Sequence, residues 1–223
     1  NPGNYAVFVP YEKYDGPKPK IARIVLTAMA DPIVAAQSGK LDLYNTNATD
    51  QISEFNKMKG FTAYPVDITF YRYFVQNIKD ANGVPNKTMS DIRVRKAIMY
   101  AMDTKAIAEG LYPGLAKLIY TGVPTSHSAY DKSSEVYSYN PEKAKQLLKE
   151  ANFDFSKPLK LRFYYADQTS INFMTAVAQY LAQVGIKTDV QKFQGDATTE
   201  LYKVKDYDIA LKGLSAFGFE EWY

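Results

Sequence analysis

Residues 159–193 read LKLRFYYADQTSINFMTAVAQYLAQVGIKTDVQKF, and this stretch decides the fold class. At its start Leu159, Leu161, Phe163 and Tyr165 fall on one side of an extended chain, the period of two expected of a strand over 159–165. The period then changes. Ile171, Met174, Val177, Ala178, Leu181 and Val184 recur at helical spacing, and Gly185 terminates the helix they define over 171–184. Ile186 to Phe193 reads as a strand again. A helix between two strands carries the chain back to where it started, so the strands pair parallel rather than as a hairpin.

The same alternation extends both ways. Upstream, Asn140-Pro141 is a cap followed by proline at the first helical position, with Ala144, Leu147 and Leu148 on the buried face. Downstream, a polar helix near 197–204 leads to a strand over Tyr207 to Lys212. Earlier still, Ser90 precedes a stripe of Ile92, Val94, Ala97, Ile98, Ala101 and Met102, and Thr104 caps a shorter helix stopped by Gly110 and Pro113. Residues 114–138 read as irregular. The sequence therefore predicts a mostly parallel sheet covered by helices across 76–223.

The first third reads differently. Pro2, Pro10, Pro17 and Pro19 predict an extended loop over 1–20, followed by a strand from Ile21 to Thr27. Asp31 caps a short helix over Ile33 to Gln37 that Gly39 ends, and Asp50 caps another ending near Gly60. Further strands are expected over Leu41 to Tyr44, Phe61 to Tyr64 and Ile68 to Val75, which places a boundary near Val75 and makes 1–75 an incomplete, strand-rich unit.

Composition narrows the chemistry. A net charge of +3 from 27 basic and 24 acidic residues, well interspersed, offers no stripe for nucleic acid. With no cysteine, there is neither a disulfide framework nor a thiol nucleophile. No apolar run approaches the roughly 20 residues of a membrane-spanning helix. The single histidine, His127, reads as an exposed loop residue, and no phosphate loop, His-Glu-x-x-His or calcium-loop spacing is present, so no cofactor or metal is expected. Glu220 and Glu221 read as solvated rim charges rather than a glycosidase pair, and the sequons at Asn47 and Asn86 as chance. The 19 tyrosines and 12 phenylalanines suit stacking on peptides or sugars in a wet cleft, although most of them will simply fill cores and sheet faces.

One segment carries a family likeness. Asp91-Ile-Arg-Val-Arg-Lys-Ala-Ile-Met-Tyr-Ala-Met-Asp103 resembles the characteristic helix of the family 5 solute-binding proteins, the peptide, nickel and oligosaccharide receptors of bacterial ABC importers. Asn1-Pro-Gly-Asn-Tyr5, Ser38-Gly-Lys-Leu-Asp-Leu43, Tyr139-Asn-Pro-Glu-Lys-Ala144, Val184-Gly-Ile-Lys187 and Asp206-Tyr-Asp-Ile-Ala210 stand around it in the family's order, so the likeness runs through essentially the whole chain.

The resemblance implies an α/β, type II periplasmic-binding-protein-like bilobed receptor, here as a fragment: 1–75 in one lobe and 76–223 beginning the second. It implies capture of a small solute and delivery to a membrane permease by a monomer, without catalysis. The compartment would be outside the cell, on a lipid anchor, or the periplasm of a Gram-negative organism, with the export signal upstream of Asn1. Peptide ranks ahead of oligosaccharide as the ligand and nickel last, since one histidine and no cysteine are available. A carboxylate-dependent glycoside hydrolase and a ligand-free docking protein remain the readings from other classes.

By the same likeness Tyr73, Asn77, Gln168, Thr169, Leu214, Ser215, Phe217 and Glu220 are the candidate ligand contacts. Leu214 and Phe217 stand where peptide receptors of the family carry tryptophan and the aspartate that pairs with the peptide amine. An apolar Phe217 cannot pair an ammonium, so either Glu220 or Glu221 substitutes or the ligand is not held by its amino group.

Overall fold

The computed structural model describes residues 4–46, 48–64, 66, 70–123, 130–133 and 136–215. The chain divides into two units, Asn1–Ala63 and Tyr64–Tyr223. That boundary precedes the one expected after Val75, because the strand expected over Ile68 to Val75 hydrogen-bonds into the sheet of the second unit.

In the first unit β1 (Tyr5–Phe8) pairs antiparallel with β2 (Ile24–Thr27), from Tyr5 opposite Thr27 to Phe8 opposite Ile24. The proline-rich loop expected over 1–20 thus contains a strand, whose Tyr-Ala-Val-Phe residues suit pairing once β2 supplies the partner. Helix α1 (Pro32–Gln37) starts on Asp31, whose carboxylate accepts from the amides of Ile33 and Val34, and Gly39 follows it at φ +67°. Helix α2 (Thr49–Lys57) has Ala48 at its cap, and Asp50 sits in the first turn instead of capping it. Neither Leu41–Tyr44 nor Phe61–Tyr64 forms the strand expected of it. Their aromatics go to α2 instead: the rings of Tyr44 and Phe61 lie 5.7 and 5.3 Å from that of Phe55.

The second unit is built on a four-stranded sheet of order β3-β6-β4-β5. Strands β4 (Leu159–Phe163), β5 (Thr188–Lys192) and β6 (Ile209–Ser215) run parallel, and β3 (Phe70–Gln76) lies antiparallel to β6. Helices α3 (Ile92–Ala101), α4 (Thr104–Leu111), α5 (Pro141–Glu150) and α6 (Gln168–Gln183) contribute to one core with Leu159, Leu161, Phe163, Ile209 and Leu211 of the sheet. The alternation read from the sequence is the burial seen: these side chains of β4 face the core, while Arg162 points to the other face. There it is buried against Asp189 of β5, at 2.8 Å.

Asp91, Asp103, Asn140 and Asp167 cap the four helices through side-chain oxygens, each bonding an amide of its own first turn. The caps expected at Ser90 and Thr104 therefore belong to the residues beside them. Gly185, at φ +88°, turns the chain out of α6 into β5.

Strand order supplies a physical consequence. The chain steps from β4 to its neighbour β5 through α6, then returns across β4 to β6 through α7 (Ala197–Thr199) and a π-helical turn, Glu200–Val204. Right-handed crossovers in opposite directions put their helices on opposite faces. Accordingly α6 sits in the main core, whereas Leu201 of the π-helical turn joins Phe193, Tyr207 and Ala210 in a smaller one.

Candidate functional site

In such an order the crevice opens outside the carboxyl ends of the strands, where the first and third neighbour one another. Here those are β4 and β6. Strand β6 outruns β4, since Phe163 at the end of β4 pairs with Leu211, and residues 212–215 continue alongside β3 alone. The two residues after β4 flank this projection. Tyr164 packs against the smaller core and Tyr165 against the larger one, and the Tyr164 hydroxyl donates to that of Tyr165 at 2.8 Å. Gly213 allows the approach, because a Cβ there would lie 2.5 Å from the Phe70 ring and would collide with the Tyr165 hydroxyl.

On the α6 side of the crevice, Arg72 of β3 lies opposite Gly213 with its guanidinium 4.7 Å from the Tyr165 ring. It donates to the Ser170 hydroxyl at 2.9 Å, and Ser170, fully buried, donates to Asp167 at 2.7 Å. Burial would raise the Asp167 carboxyl, but bonds from the Ser170 hydroxyl and amide, with the Arg72 charge, outweigh it and hold it below the usual range. Burial beside Tyr164 pushes the Tyr165 phenol up, so that hydroxyl stays neutral.

On the other side, Tyr73 lies opposite Lys212 and Tyr71 opposite Leu214. The Tyr71 and Tyr73 rings are 5.2 Å apart, and the Lys212 ammonium donates to the hydroxyl of Tyr202, which the π-helical turn presents.

The candidate residues divide accordingly. Tyr73, Leu214 and the backbone of Ser215 line the projecting part of the sheet, and Gln168 and Thr169 open α6 beside it. Gln168 donates to Asn172 at 2.9 Å, and the helix's own Asp167 carboxylate takes the Ser170 amide that an anion could otherwise use. Asn77 is elsewhere. It follows the opposite end of β3, where its amide donates to the carbonyls of Lys205 and Tyr207 at 3.0 and 2.9 Å, and its own N–H bonds the Asp208 carbonyl. Seven residues of β6 separate that point from Ser215, roughly 23 Å at about 3.3 Å per residue. Phe217, Glu220, Glu221, His127 and the sequon at Asn47 lie outside the described residues. Asn86, of the other sequon, donates to Asp208 at 2.7 Å.

Sequence reading missed Arg72, Lys212, Gly213 and Tyr202. The available signal was strand position: Arg72 is one residue from Tyr73 and so on the other face, and Lys212, the last residue of the strand expected over Tyr207 to Lys212, is two residues from Leu214 and so on its face.

Solved structures share this fold. Lactococcal OppA, solved with an endogenous peptide in the closed conformation, superposes with a TM-score of 0.78 at 20% identity over 95% of this chain and 45% of its own. NikZ from Campylobacter jejuni, solved with Ni(L-His), gives 0.76 at 19% identity over 97% and 44%. The fold is that of the type II periplasmic binding proteins. The chain belongs to the bacterial extracellular solute-binding proteins of family 5, whose middle region matches residues 1–222. Among its relatives, a Brucella ovis protein named for ABC-transporter peptide binding is 32% identical over 78% of this chain and 32% of its own length. The glutathione-binding protein GsiB of Escherichia coli K12 is 28% identical over 84% and 36%. The chain thus spans about a third of the length of these curated relatives.

Proposed function

We propose that this chain is the middle part of a receptor that captures a small solute, a peptide, and hands it to the permease of an ABC importer. The crevice between β4 and β6 carries the reading: it sits where doubly wound sheets take ligands and is walled by tyrosines whose rings can stack on a peptide, among them Tyr165, whose phenol burial pushes up. Relatives named for peptides and for glutathione, itself a tripeptide, agree with a ligand of that size and chemistry. Oligosaccharide and nickel are the lesser alternatives within the same family.

On this reading Asn1–Ala63 belongs to one lobe and Tyr64–Tyr223 to the next. Tyr73, Gln168, Thr169, Leu214 and Ser215 serve the ligand, together with Phe217 and Glu220 from beyond the described residues. Asn77 holds the far end of the sheet together instead. Closure of the lobes is biased by contacts the ligand makes only in the closed state. The receptor works outside the membrane as a lipid-anchored monomer and leaves its solute chemically unchanged.

Native mass spectrometry of the full-length protein, purified from its own host without denaturation, tests the ligand class. Adducts with peptide masses are expected, returned intact after prolonged incubation. An oligosaccharide adduct, or shortened peptides, would overturn the proposal.

A further inference from the structure

The cations of the sheet are neutralised in different ways. On β4, Lys160 and Arg162 each meet a carboxylate, Asp206 at 2.5 Å and Asp189 at 2.8 Å. Lys212 of β6 does not. Its ammonium lies 4.7 Å from the Tyr202 ring and 5.9 Å from the Tyr73 ring and bonds the Tyr202 hydroxyl, and among the described residues no carboxylate reaches it. Aromatic faces and a hydroxyl fix a cation in place without supplying a carboxylate to cancel its charge. Burial works against that charge, but bonds to Tyr202 and Tyr73 outweigh it, so the ammonium persists.

Position and local backbone add to this. Lys212 is the first residue of β6 beyond the end of β4, at the mouth of the crevice. Tyr202 is presented by a π-helical turn, a rare geometry found disproportionately at functional sites. On the opposite face Arg72 bonds Ser170, and its charge is offset by the ionised Asp167 that Ser170 also bonds. Lys212 is therefore the cation at the mouth that no carboxylate among the described residues offsets.

We propose that Lys212, framed by Tyr73 and Tyr202, is the counter-ion for a carboxylate of the captured solute, so that the receptor selects peptides by a carboxylate group. This rests on the capture reading above. The carboxylate belongs either to the peptide's C-terminus or to an Asp or Glu side chain, and both sources present the same two oxygens to the ammonium.

The test uses ligand-stripped full-length protein and four pools of random tri- to pentapeptides: free acids and C-terminal amides, each made with and without Asp and Glu. Retained peptides are quantified by mass spectrometry. C-terminal recognition is expected to retain both free-acid pools at least about tenfold over their amides, and side-chain recognition to retain the Asp/Glu pools whichever terminus they carry. In either case Lys212→Met, which keeps the aliphatic stem, abolishes the preference and flattens its salt dependence. Equal retention of all four pools by the wild-type protein overturns the Lys212 assignment and leaves capture standing, with no variant needed. A preference that survives in folded Lys212→Met also overturns it. Retention of none of the pools sinks the peptide reading itself, and the assignment with it.

Discussion

Asn77 and Gly213 show how little a residue's type says about its task. Asparagine at the end of a strand suits a ligand contact, yet the Asn77 side chain is buried and both its amide hydrogens are spent on the Lys205 and Tyr207 carbonyls. Asn77→Ala is expected to lower stability by about 2 kcal/mol, the sum of two modest hydrogen bonds and the desolvation left behind, with solute affinity unchanged. Denaturant unfolding beside a titration with the solute separates the two. Gly213→Ala should act the other way. Its Cβ must displace both Phe70 and Tyr165, costing roughly 1–3 kcal/mol and moving the wall of the crevice, so affinity falls along with stability. Unchanged binding in Gly213→Ala would mean the ligand does not use this wall.

Among the elements, the helices were the most legible, because caps and apolar stripes are local properties. Met174, Val177 and Leu181 of α6 are all buried, as their spacing requires, and Asn140-Pro141 starts α5. Capping carboxylates also make these helices acid-sensitive. Asp91 is held below its usual range by its bonds from Arg93, and Asp167, against burial, by those from Ser170. A folded value below the unfolded one means that the stabilisation is complete above about pH 4 and is lost as the pH falls through the folded values. Thermal unfolding followed from pH 6 to pH 3 is thus expected to show a falling Tm, and Asp167→Asn, which still caps but no longer titrates, a shallower fall. Equal slopes would deny Asp167 this part. Strands were less legible: Leu41–Tyr44 has the composition of one, but Tyr44 is taken up by the ring of Phe55.

At the scale of the whole molecule, the two units differ in how their apolar residues are covered. All four residues of β2 are exposed and pair only with β1, whereas α3 and α6 share a core with the sheet of their own unit. Amide exchange in this chain is therefore expected to be orders of magnitude slower in Ile92–Ala101 and Gln168–Gln183 than in Ile24–Thr27. Matching protection factors in all three segments would contradict it. On the proposed capture function, saturating solute should raise the unfolding temperature of the full-length protein by several degrees, by mass action on the folded state.

Residues 159–193 and the capped helices around them determined the fold class without help from tertiary structure, since hydrophobic period and cap chemistry are written within a few neighbouring residues. Composition likewise set aside thiol chemistry and suggested an aromatic cleft. Pairing was decided only in three dimensions. Nothing local says that β3 joins β6 antiparallel, yet that register sets Tyr73 against Lys212 and Arg72 against Gly213. Nor does any local signal bring Tyr202 to Lys212 or Ser170 to Arg72, contacts spanning 10 and 98 residues. A binding crevice is made by groups far apart in the chain, and their meeting depends on strand order and register, which follow from burying the whole apolar surface at once rather than from any one segment.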